Sequence, residues 1–244
     1  MVEVVEQGKD LGKITWRTKL SYLFNLDISA NVKYFLNRRK DRWFDKKYGT
    51  DTWEFFKLRG NKEYKDQNWP YSLIYQPSLI GSFQLLMESL VTNQMINHNS
   101  VFLDVGCGKG LTLMLASNYR FKKIIGVENS PELCEIARNN VELFKTQTED
   151  QINIEVVECD AATFDIPGDA DIIYLMNPFN GTILRQFLSN LQKSLYIVPR
   201  PVLLIYSWPV YGEVIDETGN FEFGKKIFFD PVPTIIFRKK PSPD

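Results

Sequence analysis

Residues 101–110 read VFLDVGCGKG and run directly into an apolar segment, Leu111–Tyr119. This strand, glycine loop and helix constrain the fold more than any other stretch. Glycines at alternate positions let the backbone turn tightly and approach a ligand with no Cβ in the way. The amides that open the following helix point into the same space. At the carboxyl edge of a parallel sheet, that space is where ligands bind. Two commoner nucleotide loops are excluded by spacing. A GxGxxG loop faces a pyrophosphate, but here the third glycine, Gly110, comes one residue early, and Asp104 at the strand end would repel phosphate. A GxxxxGK[ST] loop also fails, because Gly110 stands where Ser or Thr is required.

From residue 101 onward, short apolar runs alternate with amphipathic segments. The pattern predicts strands at Val101–Val105, Lys123–Glu128, Ile152–Cys159, Asp171–Met176 and Val202–Trp208. It predicts helices at Leu111–Tyr119, Pro131–Phe144 and Ile183–Leu195. Such alternation implies parallel strands joined by right-handed crossovers, hence an α/β, Rossmann-like sheet. The end differs. Lys225–Phe229 and Thr234–Arg238 are joined by Asp230-Pro231-Val232-Pro233, too short for a parallel crossover, so this pair is expected to be an antiparallel hairpin. Upstream, Leu79, Phe83, Leu86, Met87 and Leu90 place a helix over Ser78–Asn97. A second helix is expected over Ser29–Tyr48, stopped by Gly49, and a turn at 68–71. The expected division is an N-terminal helical cap or substrate region over 1–70 and a ligand-binding domain over 71–244.

Glu128 ends the second of these strands, 22 residues beyond Gly106. An acid there accepts hydrogen bonds from both hydroxyls of a ribose. Asp160 and Ala161 follow the third strand, beside the place of an adenine, where a carboxylate can accept from the exocyclic amine. Asp160 can equally cap a short helical turn at 161–164. Asp104 is suited to a cationic amino group.

These residues resemble the class I S-adenosylmethionine-dependent methyltransferases. FLDVGCGKG is similar to that family's first motif and GVENSPEL to its second. The resemblance implies a seven-stranded sheet with one antiparallel strand near its edge, S-adenosylmethionine as cofactor, and Asp104, Gly106, Cys107, Gly108, Glu128, Asn129, Asp160 and Ala161 around it. The Tyr75 and Ser78 hydroxyls are expected to reach or cover the cofactor's carboxylate; in the alternative reading Tyr75 packs and Ser78 caps the helix. Residues 45–52 (DKKYGTDT), 75–78 (YQPS), 177–179 (NPF), 194–195 (SL) and 200–206 (RPVLLIY) also resemble an uncharacterised bacterial subgroup, which brings no substrate with it.

Asn177-Pro178-Phe179 is similar to the (D/N)PP(Y/F) motif of amine methyltransferases. There, Asn and a proline carbonyl accept hydrogen bonds from the target amine, and the ring packs on a planar group. Alignment of this kind supplies much of a barrier reduction, and Asn177 would also border the cofactor. This chain has one proline instead of two, so amine and oxygen acceptors both stay open. In the alternative reading, Pro178 stops the strand and Phe179 fills core.

Composition narrows the remainder. The charged fraction is 24% and the formal net charge −1, so the whole molecule has no general pull on nucleic acid or anionic membrane. Residues 1–70 nevertheless hold 15 Lys and Arg against 10 Asp and Glu. The basic-aromatic stretch 33–48 makes a nucleic acid the alternative partner, although a solvated helix packing its aromatics inward is preferred. The expected acceptor is a small molecule or a protein. Three scattered cysteines and one histidine offer no zinc or iron–sulfur spacing, so no metal is expected. Sparse cysteines, no signal-peptide pattern and no long apolar run point to the cytoplasm. His98 is expected to cap the preceding helix or to lie at the surface.

Overall fold

Seven strands form one sheet in the order β5-β4-β3-β6-β7-β9-β8. The computed structural model describes residues 42–53, 56–57, 74–75, 77–148, 153–229 and 232–239. A helix, α1, covers 42–48. Strands β1 (Phe56–Lys57) and β2 (Ile74–Tyr75) pair antiparallel, Phe56 opposite Tyr75. Then come α2 (Ile80–Thr92), β3 (Val101–Val105), α3 (Leu111–Ala116) with a 3-10 turn over Ser117–Tyr119, and β4 (Lys123–Glu128). The chain continues through α4 (Pro131–Thr146), β5 (Ile154–Glu158), β6 (Ile172–Met176), α5 (Gly181–Ile197) and β7 (Leu203–Ser207). It ends with α6 (Gly212–Glu217), β8 (Phe221–Phe229) and β9 (Val232–Lys239).

The first five sheet strands are parallel. β9 inserts between β7 and β8 and runs antiparallel to both. The expected fold is therefore present, including the hairpin and its single reversed strand next to the sheet edge. β3 is buried along its whole length, as a strand covered on both faces must be.

Residues on one face of the sheet join α2, α3 and α4 through Phe83, Phe102, Met114, Ile124 and Val141. The opposite face joins α5 and α6 through Leu103, Ile173, Leu188, Leu191 and Ile215. Each fully buried side chain of this size stabilises the fold by about 1.5–3 kcal/mol.

Several bounds differ from expectation for local reasons. α2 stops at Thr92, not Asn97: the Asn93 side chain donates to the Ser89 carbonyl at 2.7 Å, and Gln94 turns left-handed with φ 55°. α6 spans six residues, too few for a periodic signal. The short turn expected over 161–164 is present over 161–163, where the Thr163 amide donates to the Asp160 carbonyl at 3.0 Å. Of the helix expected over 29–48, only 42–48 lies within the described residues, and the 68–71 turn lies outside them.

α1 packs on the core. Phe44, Tyr48 and Phe144 form an aromatic triple, with ring centroids 4.7 Å apart for Phe44–Tyr48 and for Tyr48–Phe144 and 6.0 Å apart for Phe44–Phe144. Behind it, Asp45 gathers the following loop. Its carboxylate accepts from the Thr50 and Thr52 hydroxyls, both at 2.7 Å, and from the Thr52 and Trp53 amides at 2.9 and 2.8 Å.

Candidate active site

β3 leads to β4 on one side, whereas β6 returns to its other side, so the carboxyl ends of β3 and β6 flank a crevice where the strand order reverses. Crevices at such reversals are where open α/β sheets bind ligands. The glycine loop leaves β3 into this crevice, and the Asn177–Phe179 turn leaves β6 beside it.

Gly106, Gly108 and Gly110 have φ of 82°, 54° and 80°, the left-handed region that glycine enters without a Cβ penalty. At Gly106 there is a second reason. A Cβ there would lie 2.3 Å from the Pro178 Cβ, so the glycine loop and the β6 turn are in direct contact. The Gly106 and Cys107 amides both donate to the Val127 carbonyl, at 2.7 and 3.0 Å, which pins the loop to β4.

Two acids border the loop. Asp104 is 2% exposed and accepts the Thr112 hydroxyl. Burial pushes its carboxyl up to about 7, the Thr112 hydrogen bond opposes this, and the charge of Glu128 adds to it. Glu128 accepts the Gly108 amide at 3.0 Å and the Ser130 amide at 2.9 Å. Burial raises its carboxyl above the ordinary value, against hydrogen bonds from Ser130, Gly108 and Asn129. The Asn129 side chain lies at the surface, and the Cys107 thiol is buried and pushed up mainly by desolvation.

Asp160 accepts the Ala162 amide at 2.8 Å, and Ala161 is 7% exposed, so the capping role is visible. Asn177 is left-handed, φ 46°, and its Oδ1 accepts the Tyr206 hydroxyl at 3.0 Å. The Tyr211 backbone amide bonds to the Tyr206 oxygen in turn. This chain directs the Tyr206 proton at Oδ1 and fixes the amide's orientation. Phe179 is partly buried and packs against the core, its ring centroid 6.2 Å from that of Phe187.

The Ser78 hydroxyl lies 2.6 Å from the Met176 sulfur, at the end of β6. It does not cap α2, whose cap residue is Leu79. Tyr75 pairs through its backbone in β2; its side chain lies outside the described residues. His98 is exposed beyond α2, before the first residue of β3 and so at the far end of that strand from the glycine loop. A small cavity with room for about one water lies below the crevice, lined in part by Ser78, Tyr174, Ser207 and Thr234.

Lys109, Asn140 and Tyr206 carry structure at this site that the sequence did not flag. Lys109 is 1% exposed, and its ammonium lies 2.8 Å from Asp51. Asn140, on α4, donates to the carbonyls of Asp51 and Lys109, both at 2.9 Å, and accepts the Asp51 amide at 2.8 Å. Asp51 falls within DKKYGTDT and Tyr206 within RPVLLIY, two of the motifs shared with the bacterial subgroup, but neither motif indicates the partner that its residue meets.

Residues 102–196 match a family described as a methyltransferase domain. The chain is 29% identical over 143 residues to a carboxy-S-adenosyl-L-methionine synthase of Pectobacterium atrosepticum, covering 57% of this chain and 51% of the relative. The chain spans about a third to a half of the length of the first curated relatives it matches. Among solved structures, a variant of MtNAS in complex with S-adenosylmethionine superposes with TM-score 0.51 at 16% identity, over 66% of this chain and 62% of the other. A ribosomal protein L11 methylase of Lactobacillus delbrueckii subsp. bulgaricus superposes with TM-score 0.50 at 17% identity, over 73% and 93%. At such identities these structures speak to the fold.

Proposed function

We propose that this chain, whose residues 102–196 match a methyltransferase-domain family, is a class I S-adenosylmethionine-dependent methyltransferase that binds S-adenosylmethionine and transfers its methyl group to an acceptor. The observation that carries the reading is the contact of Gly106 with Pro178. It brings the cofactor loop and the acceptor turn to one place.

The residues present fit this cofactor. Asp104 and Glu128 lie close enough for the charge of Glu128 to raise the Asp104 carboxyl. A ligand carrying an ammonium and a ribose offsets that repulsion, whereas a pyrophosphate adds to it. When bound, the sulfonium supplies an activated methyl group. The chain's own work is alignment: Glu128 toward the ribose, Asp104 toward the amino group, Asp160 and Ala161 toward the adenine. Asn177, held by Tyr206, keeps a second Oδ1 lone pair with which to accept from an acceptor N–H. Pro178 and Phe179 fix the turn that presents it. An amine on a small molecule or protein suits this arrangement, with residues 1–70 as the substrate-facing part.

A nucleic-acid acceptor is the second reading, favoured by Arg42, Lys46 and Lys47 exposed on α1 beside Trp43, which is 60% exposed. Against it, Arg42 lies over the Trp53 ring at 4.3 Å and Lys47 over the Tyr48 ring at 4.6 Å, so these cations already serve their own fold. A cytoplasmic setting is part of the proposal, supported by three free cysteines; no described helix is long and apolar enough to cross a membrane.

Calorimetric titration with S-adenosylmethionine and S-adenosylhomocysteine tests the cofactor. Saturable 1:1 binding of both is expected; absence of binding at high micromolar ligand overturns the proposal. A labelled-methyl screen over amines, proteins and RNA then identifies the acceptor.

A further inference from the structure

The glycine loop is buttressed from outside the matched domain. Asp51 lies 58 positions before Lys109 and 89 before Asn140, yet it binds both. The contact is buried on one side: the Lys109 side chain is 2% exposed and that of Asp51 53%, while Asn140 is 2% exposed with its amide divided between the Asp51 and Lys109 carbonyls. Lys109 is itself a loop residue, flanked by Gly108 and Gly110, both left-handed. A loop so rich in glycine has little intrinsic preference for one shape, so its shape has to be imposed by contacts. Val127 pins one end of it, and the Asp51–Asn140–Lys109 node pins the other.

We propose that Asp51 is a positioning residue for the cofactor loop, holding the Lys109 ammonium and the Asn140 amide so that Gly106–Gly110 stays in the form that receives S-adenosylmethionine. The inference rests on the cofactor reading above. Electrostatics give Asp51 a specific task. Lys109 is a buried cation, and a buried cation needs a counter-charge. The Asp51 carboxylate supplies one at 2.8 Å, and its backbone amide and carbonyl hold the Asn140 side chain, which in turn holds the Lys109 carbonyl. The docking of Asp51 and the shape of the loop are therefore coupled. By reciprocity, a bound cofactor must in turn tighten the docking of residues 50–53.

Calorimetry on the full chain tests this with Asp51→Asn, which keeps the side chain's size and removes its charge. The affinity for S-adenosylmethionine is expected to fall by about tenfold, within the usual range for coupled sites. Asp51→Glu, which restores the charge, should recover most of it. A folded Asp51→Asn protein that binds within twofold of the wild type overturns the proposal. If the wild type binds and the variant binds equally, only the role of Asp51 fails; if the wild type does not bind, the cofactor reading fails with it. Should Asp51→Asn not fold, hydrogen exchange on the wild type decides. Saturating S-adenosylmethionine should slow exchange of the Asp51, Thr52 and Trp53 amides together with the glycine loop. Protection confined to residues 106–110 overturns the proposal.

Discussion

Asp104 carries the most pH-sensitive charge of the site. Its carboxyl is raised from the ordinary value of 3.8 to about 7, first by burial. The folded protein therefore holds a proton there that the unfolded chain gives up between about pH 4 and 7. This contribution to stability is present below pH 4 and is lost as pH rises to about 7, above which it is constant. Ligand binding should show the opposite trend. A cationic ligand favours the ionised carboxylate, so affinity for S-adenosylmethionine should increase from pH 5.5 to 7.5 and then level off. Titrations across that range check it, and Asp104→Asn should flatten the rise. At this scale the sequence was informative where spacing alone fixes geometry: Gly106 and Gly108 take the left-handed turn of the loop, and Glu128 at the end of β4 meets the Gly108 amide. It was silent where a role depends on tertiary contact. Tyr206 meets Asn177 across 29 positions, and Asn140 meets Asp51 across 89. No local pattern encodes such meetings.

Among elements, the link from α1 to the loop at 50–53 depends most on one side chain. Asp45 satisfies two hydroxyls and two backbone amides, and Thr52 beneath it is 0% exposed. Asp45→Ala leaves several of these donors unpaired, at about 1–3 kcal/mol for each that stays buried. A stability loss of roughly 2–4 kcal/mol is expected, seen as a fall in Tm of roughly 10 °C. Because Asp51 sits in the same loop, affinity for S-adenosylmethionine should fall as well. Thermal melts and titration of one sample report both. Most element types from 101 onward were legible because parallel strands buried on both faces read as short apolar runs, while α4 and α5 show the helical period. The elements missed were too short to have a period. α6 has six residues, and β1 and β2 have two each.

At the scale of the molecule, the sheet divides the apolar side chains into two cores, and the polar crevice sits at one end of both. The site draws on residues from both sides of the sheet. Asp104, Tyr174, Met176 and Ser207 align across neighbouring strands on one side, while Tyr206 belongs to the core on the other. That joint construction was not readable from the order of elements. The alternation of strands and helices names the architecture, but only packing decides which side chains line its edge.

The place of β9 also has a consequence for the order in which the sheet can be assembled. β9 lies between β7 and β8, although β8 precedes it along the chain. Among the described strands, β8 pairs with β9 alone, so its nine residues have no ladder until a later segment arrives. β8 and β9 can pair locally as a hairpin, but seating β9 on β7 joins residues 27 to 35 positions apart, a non-local step of the slower kind in folding. A chain cut after Phe229 loses one strand from the sequence but two from the sheet. It would leave β7, with Leu204, Ile205 and Tyr206 buried in the intact protein, as an open apolar edge of the type that recruits other chains. Such a truncation should aggregate on refolding, as light scattering would show, while the intact chain stays dispersed; a monodisperse truncated protein would refute this order of assembly.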